Sequence, residues 1–227
     1  MLEDNYEDII NKASRGLNKK INSENLEKTA KELNLNFKVL KNIKEGKYKP
    51  KKFNYNKKYD GLKVVKISSE LMGGEVNAYI VVDEDKNCVI IDTAQVPDKI
   101  IVFIKSNNLN VVSILRTHGH YDHVEGMENI EQEFDVKANE VAKFSKGINV
   151  FKTPGHSEDS LTYQIGKFLF VGDLIFAGSL GGGSYSYEKL LESAKKILNL
   201  DENLFIFPGH GPSTTVKEER KNNAFIN

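Results

Sequence analysis

All five histidines of this 227-residue chain, His118, His120, His123, His156 and His210, fall in short loops that follow runs reading as β-strands. Three of them share one stretch, T-H-G-H-Y-D-H, which also carries Asp122. His156 lies in T-P-G-H-S, Asp173 closes K-F-L-F-V-G-D, and His210 sits in P-G-H-G. Imidazole and carboxylate together, with no thiolate among them, suit zinc and other borderline divalent cations. In a tight loop the spacing H-x-H-x-D-H turns alternate side chains to opposite sides, so a single loop can serve a pair of metal ions. Strand ends present loop side chains at fixed positions because the sheet behind them is rigid. Five imidazoles and two carboxylates delivered from four strand ends therefore predict a two-metal site.

The elements that must position these residues begin at Gly61. K-V-V-K-I-S-S, N-A-Y-I-V-V-D and C-V-I-I-D are short β-branched runs, and D-E-D-K-N between the last two reads as a hairpin turn. P-D-K-I-I-V-F-I-K-S starts with a proline suited to a first helical position, and V-V-S-I-L-R follows as a buried strand. Residues 123–134 read as helix, D-V-K-A, I-N-V-F-K, L-T-Y-Q-I and K-F-L-F-V as strands, Y-S-Y-E-K-L-L-E-S-A-K-K-I-L as an amphipathic helix, and L-F-I-F-P as a last strand. Such a mixture implies an α/β (α+β) fold with helices packed outside sheets.

Ahead of this lies a helical module. Residues 3–20 and 24–45 read as helical, with Ser23 as an N-cap, a short break around L-N-L-N, and Gly46 closing the last helix before Pro50. The organisation expected is a helical module over 1–50, a linker over 51–60 and a catalytic domain over 61–227. K-Y-K-P-K-K-F-N-Y-N-K-K reads as solvated. A module of that size is close to the lower limit for independent folding and is expected to lean on the main domain.

The net charge of zero hides an asymmetry, +6 over residues 1–60 and −6 over 61–227. With helix-turn-helix-like spacing in the module, the basic excess would favour nucleic acid. Recognition helices, however, usually offer Arg, Gln or Asn to base edges, whereas the second helix here offers mainly lysines and apolar residues. A structural or substrate-capping role is the expectation. The one cysteine, Cys88, excludes an internal disulfide and sits in the apolar run C-V-I-I, so a buried strand thiol is expected. The sequence has no apolar leader-like region at its start and no uncharged run of 18 residues, which points to a cytoplasmic protein away from membranes.

T-H-G-H-Y-D-H, T-P-G-H-S, G-D and P-G-H-G together resemble the metallo-β-lactamase superfamily, and within it the glyoxalase II-like (hydroxyacylglutathione hydrolase-like) branch, over about residues 61–227. The resemblance implies a four-layer αββα sandwich. It also implies two divalent metal ions, zinc in first place with iron or manganese as alternatives. His118, His120 and His156 would hold one ion and Asp122, His123 and His210 the other, with Asp173 shared and Asp92, in I-I-D-T, supporting the loop. Its chemistry is attack of a metal-activated hydroxide on a thioester or related ester, with Asp122 as the catalytic base. The tail T-T-V-K-E-E-R-K-N-N-A-F is similar to one common among small members, except that Ala224 replaces the usual proline.

Neighbouring branches fit less well. Secreted dizinc β-lactamases use a cysteine where this chain has Asp173, and the 36 residues between Asp173 and His210 leave no room for the insert domain of the nucleases. Mononuclear-iron persulfide dioxygenases share the motifs and stand as the alternative enzyme, although their arginine-containing stretch after G-D reads A-G-S-L-G-G-G-S-Y-S here. A metal-stabilised nucleic-acid-binding module is the alternative outside enzymology. Glyoxalase II enzymes also append a C-terminal helical domain, whereas this chain runs only 17 residues past His210, so the chemistry carries over and the glutathione substrate does not. The partners expected are a small thioester-like substrate and, at most, a second copy of the chain as a homodimer. Gly181, Gly182 and Tyr185, in the glycine-rich segment after Asp173, are the candidates for touching that substrate.

Overall fold

The computed structural model describes residues 2–20, 25–71, 74–141 and 143–227. Three helices come first: α1 (Tyr6–Gly16), α2 (Leu26–Glu32) and α3 (Phe37–Lys44). Each is started by an asparagine whose side chain accepts backbone N–H groups of the first turn: Asn5, Asn25 and Asn36. These helices are shorter than the sequence pattern suggests, and α2 is capped by Asn25. The proposed cap at Ser23 lies outside the described residues.

A first sheet follows, with β1 (Lys63–Leu71), β2 (Gly74–Val82), β3 (Asn87–Ile91) and, after α4 (Pro97–Ser106), β4 (Asn110–Leu115). Its order is β1-β2-β3-β4, antiparallel except for the parallel β3–β4 pair. The next elements are α5 (Tyr121–Val124), α6 (Met127–Phe134), β5 (Asn149–Lys152), β6 (Leu161–Ile165), β7 (Phe168–Gly172), β8 (Ile175–Phe176) and β9 (Ser179–Leu180). The chain ends with α7 (Tyr187–Leu198), β10 (Phe205–Pro208), β11 (Thr214–Thr215) and α8 (Val216–Asn222). The second sheet runs β11-β10-β7-β6-β5, and β8 and β9 form a separate ribbon.

Period-2 alternation along the strands explains the layers. In β2, Tyr79 and Val81 join Phe168, Phe170 and Phe207 between the sheets, whereas Val76, Ala78 and Ile80 face Ile100, Ile104 and Ile130 of α4 and α6. In the second sheet Leu169, Val171 and Ile206 point outward and meet Leu190 and Ala194 of α7. The result is the four-layer αββα sandwich. The same outer cluster takes in Ile9 and Ala13 of α1, Ala30 of α2 and Leu40 and Ile43 of α3. The N-terminal helices are thus part of the outer layer and share its core.

Three local expectations are corrected. The 123–134 helix is broken at Gly126, whose φ of +73° turns the chain between α5 and α6. D-V-K-A forms no strand; Ala138 makes only an isolated bridge to Ile114. The supposedly solvated linker carries Phe53, which is buried against Phe168, Phe205 and Phe207 with ring centroids 6.0, 5.0 and 4.9 Å away, because its aromatic rings outweigh the surrounding lysines. The C-terminal tail contains α8, and the signal was present: Thr215 caps Glu218 N at 3.1 Å. Ala224 donates its N–H to Gly178 O at 2.9 Å, a bond that a proline at this position could not make. Cys88 is fully buried in β3, as its apolar setting predicts. Among the described residues no helix is long and apolar enough to cross a membrane.

Candidate metal centre

Asp92, at the end of β3, organises the loop that carries the H-x-H-x-D-H motif. It is buried with φ +57°, a left-handed conformation that aspartate tolerates better than most residues and that is common where a site stores local strain. Its carboxylate accepts Thr117 N and Thr117 Oγ1, both at 2.7 Å, and His123 Nδ1 at 2.9 Å. Thr117 Oγ1 in turn lies 3.1 Å from His118 Nδ1. Since the Thr117 proton goes to Asp92, His118 Nδ1–H is the donor in that contact. Asp92 therefore fixes His123 directly and His118 through one hydroxyl, and turns the Nε2 atom of both rings inward. His156 is oriented the same way, with Nδ1 donating to Gly182 O at 2.9 Å.

The inward-facing atoms converge in two groups. His120 Nδ1 lies 3.1 Å from His118 Nε2 and 2.9 Å from His156 Nε2. On the other side, His123 Nε2 and His210 Nε2 are 3.4 Å apart, with Asp122 Oδ2 at 3.7 and 3.4 Å from them. Asp173 stands between the groups: its Oδ1 is 3.4 Å from His123 Nε2, and its Oδ2 is 3.5 Å from His156 Nε2 and 3.3 Å from His210 Nε2. All seven residues picked out from the sequence are brought together.

A cation fits this donor set. Two nitrogens bound tetrahedrally at about 2.0–2.1 Å lie about 3.3 Å apart, close to the spacings found. The ligand atoms of His118–His120–His156, His118–His123–Asp173 and Asp122–His123–His210 each lie within 4.8 Å of one another. Asp173 Oδ1 is buried without a hydrogen-bond partner, an arrangement that is costly unless a charge meets it.

The electrostatics divide the cluster. Burial drives His118 down to about 4 and lowers His156, so these two imidazoles are neutral at pH 7. For His123 burial also opposes charging, but Asp173 and Asp92 outweigh it and raise the imidazole well above its ordinary value. His210 is raised to about 10, burial being overcome by hydrogen bonds to Asp122 and Asp173. Burial likewise resists ionisation of Asp173, yet His123 and His210 hold its carboxyl well below the usual range. In the metal-free protein, protons on His123 and His210 take the part that a cation plays.

Glycines allow the close approach. A Cβ on Gly209 would fall 2.2 Å from Asp173 Oδ1 and 2.5 Å from His123 Cε1. Gly209→Ala is therefore expected to lose about 1–3 kcal/mol of stability through overpacking and to displace both side chains. Thermal denaturation and metal content of the purified variant check this, and an alanine protein with unchanged melting and metal uptake would contradict it. Gly181 is held by packing as well, since a Cβ there would meet Asp173 O at 1.8 Å. Gly182 supplies the carbonyl that orients His156. Tyr185 is exposed at the rim, its hydroxyl 3.2 Å from Lys189 Nζ and 3.4 Å from Glu158 Oε1. Sequence reasoning had no means of finding Glu3, whose carboxylate reaches within 4.0 Å of His210 Nδ1.

An αββα sandwich with histidine and aspartate clusters at its loop edge defines a metallohydrolase of the β-lactamase-like fold. The chain matches the family model of the metallo-beta-lactamase superfamily over residues 71–152 and 138–210, and it belongs to that superfamily. It is 28% identical over 196 residues to the hydroxyacylglutathione hydrolase GloC of Haemophilus influenzae, covering 66% of this chain and 92% of that protein. Among solved structures, the BLEG-1 B3 metallo-beta-lactamase is 27% identical with a TM-score of 0.65, covering 72% of this chain and 99% of the other. TTHA1623 in a di-iron-bound form is 25% identical with a TM-score of 0.62, covering 71% of this chain and 100% of that one.

Proposed function

We propose that this protein hydrolyses a small thioester with a pair of divalent cations, one held by His118, His120 and His156 and the other by Asp122, His123 and His210, with Asp173 shared between them. The observation that carries the reading is Asp173, buried between the two groups, with Oδ1 lacking a hydrogen bond and its oxygens within 3.3–3.5 Å of nitrogens from both. The likeness to a hydroxyacylglutathione hydrolase supports a thioester as the substrate class. Bound cations would supply Lewis acidity, polarising a carbonyl and bringing the pKa of water toward about 7.

The chain's own residues do the rest. Asp122, half-buried with Oδ2 turned to the cluster and its carboxyl held low chiefly by His210, is ionised at neutral pH and accepts the proton of the attacking water at Oδ2. Asp92 and Thr117 hold His118 and His123 in one tautomer while charge develops. A thiolate leaves without needing a proton, which agrees with the lack of a second acid beside Asp122 in the sequence motif. Tyr185 and Lys189 stand at the open rim, where the leaving thiol's carrier would pass. The donor set accepts zinc, iron or manganese; zinc is our choice, and the relative TTHA1623 takes iron.

Elemental analysis of the purified protein beside a panel of acyl thioesters tests the proposal. Two equivalents of metal with thioester turnover are expected. One equivalent of iron, with oxygen consumed on glutathione persulfide, would overturn it in favour of sulfur oxidation.

Metal uptake should be linked to pH. His123 and His210 are charged at neutral pH without metal, so a cation taking their Nε2 atoms displaces those protons. Affinity should fall on acidification by about tenfold per pH unit for each proton displaced. Titrating zinc into chelated protein calorimetrically, in buffers of different ionisation enthalpy, counts the protons. A heat independent of buffer would rule the linkage out.

A further inference from the structure

We propose that Glu3, from the segment preceding the first helix, is a positioning residue for His210, and that the N-terminal helical module thereby completes the second cation's binding group. The inference rests on the two-cation reading above. Three of the inward-facing histidines have their outer nitrogen fixed from within the catalytic domain: His118 by Thr117, His123 by Asp92 and His156 by Gly182 O. For His210 the corresponding group comes from the other end of the chain. Its Nδ1 faces Glu3 Oε1 at 4.0 Å, an ion-pair contact longer than a hydrogen bond.

The placement of Glu3 is enforced from several sides. A Cβ on Gly211 would meet Glu3 Cβ at 3.0 Å, and one on Gly74 would meet Glu3 Oε1 at 3.2 Å, so the arm threads between the start of β2 and the loop carrying His210. The next residue, Asp4, is buried and accepts Lys12 Nζ and Ser179 Oγ, both at 2.6 Å. Lys12 Nζ also donates to Leu180 O at 3.0 Å and lies 4.7 Å from the centre of the Phe176 ring. Phe176 in turn packs edge-on against His210, ring centroids 5.8 Å apart. Arm, β8–β9 ribbon and His210 therefore form one connected unit.

The chemical consequence follows from the tautomer. His210 Nε2 faces Asp122 and Asp173, so it can serve a cation only if its remaining proton sits on Nδ1. A carboxylate beside Nδ1 favours that tautomer by charge and makes Nε2 a better donor. Glu3 lies outside residues 71–210 matched by the superfamily, so this support comes from beyond the matched region.

The test compares full-length wild type, Glu3→Gln, Glu3→Asp and, as a structural control, Asp4→Asn. Each chelated protein is titrated with Co(II) and followed by its visible absorption and by competition with a chromophoric chelator. Wild type should bind two equivalents. In Glu3→Gln the second should bind roughly tenfold more weakly, the usual effect of removing a supporting carboxylate, with the first equivalent and the melting temperature of the chelated protein unchanged. Glu3→Asp should recover part of the second affinity. Equal loss of both equivalents with a lowered melting temperature, or an unchanged second equivalent, would overturn the proposal. Wild type that takes up a single equivalent would instead overturn the two-cation reading on which it rests.

Discussion

Asp173→Ala is expected to lose bound metal and thioester hydrolysis together, with kcat/KM falling about a thousandfold or more, since about 4 kcal/mol of transition-state stabilisation corresponds to that factor. The reason is positional. Among the described residues, Asp173 is the one carboxylate whose two oxygens approach nitrogens of both groups, through His123, His156 and His210. Without it the three-histidine group has no carboxylate and the other keeps only Asp122, and two cations a short distance apart lose what screens them from each other. Asp173→Asn separates charge from shape. It keeps the volume in the tight space beside Gly209 but supplies no charge, so metal should still be lost. Metal content and steady-state hydrolysis on the same preparation decide the matter. A variant that keeps both would remove Asp173 from the centre.

The same substitution has a cost in the metal-free state. His123 is buried and charged there, held by Asp92 on one nitrogen and by Asp173 on the other. Removing one partner of a buried ion pair costs about 3–5 kcal/mol. Chelated Asp173→Ala should therefore melt below chelated wild type, and the two effects can be measured separately.

How much of this was legible beforehand depended on the range of the contacts. His118, His120, Asp122 and His123 lie within one loop, so their spacing alone announces a shared task. Asp92 could be picked out because the resemblance supplied its role, and the structure adds the physical reason, three donors converging on one carboxylate. Gly181 shows the opposite case. A glycine-rich stretch near a site reads as flexible backbone for a substrate, whereas Gly181 is buried where Asp173 O leaves no space for a side chain. Phe53 among its lysines, and Glu3 more than two hundred residues before His210, take their meaning from partners distant in sequence. No local pattern encodes such pairings. The N-terminal helices read as a separate module for the same reason: their apolar faces are visible in the sequence, but the sheet that covers them is not.

Glu219→Ala should be the most damaging substitution away from the metal centre, at about 3–5 kcal/mol, since several buried donors lose their acceptor at about 1–3 kcal/mol each. Glu219 is fully buried in α8 and accepts four hydrogen bonds from four parts of the chain. Tyr48 Oη and Thr214 Oγ1 donate to Oε1 at 3.0 and 2.7 Å, and Gly178 N and Asn223 Nδ2 donate to Oε2 at 2.9 and 2.8 Å. Alanine would take the acceptor from Tyr48, Thr214 and Gly178, leave Asn223 Nδ2 with its bond to Ser179 O at 2.7 Å, and open a cavity. At roughly 2–4 °C per kcal/mol for a chain of this size, the melting temperature should drop by roughly 10 °C. Glu219→Gln should cost far less, because the two hydroxyls on the Oε1 side can rotate to accept from the new amide, while its oxygen serves Gly178 and Asn223. The glutamine variant also exposes a pH effect. Burial outweighs the four donors and raises the Glu219 carboxyl to about 7, above its ordinary value of 4.5. A proton is thus held more tightly in the folded state, so the stability it contributes is fully present below pH 4.5, declines as pH rises and is gone above about 7. Between pH 5 and 8 wild type should lose stability that Glu219→Gln, having no proton to release there, does not lose. Melting curves of the two proteins across that range should converge toward pH 8, and parallel curves would show that Glu219 is already ionised at pH 5.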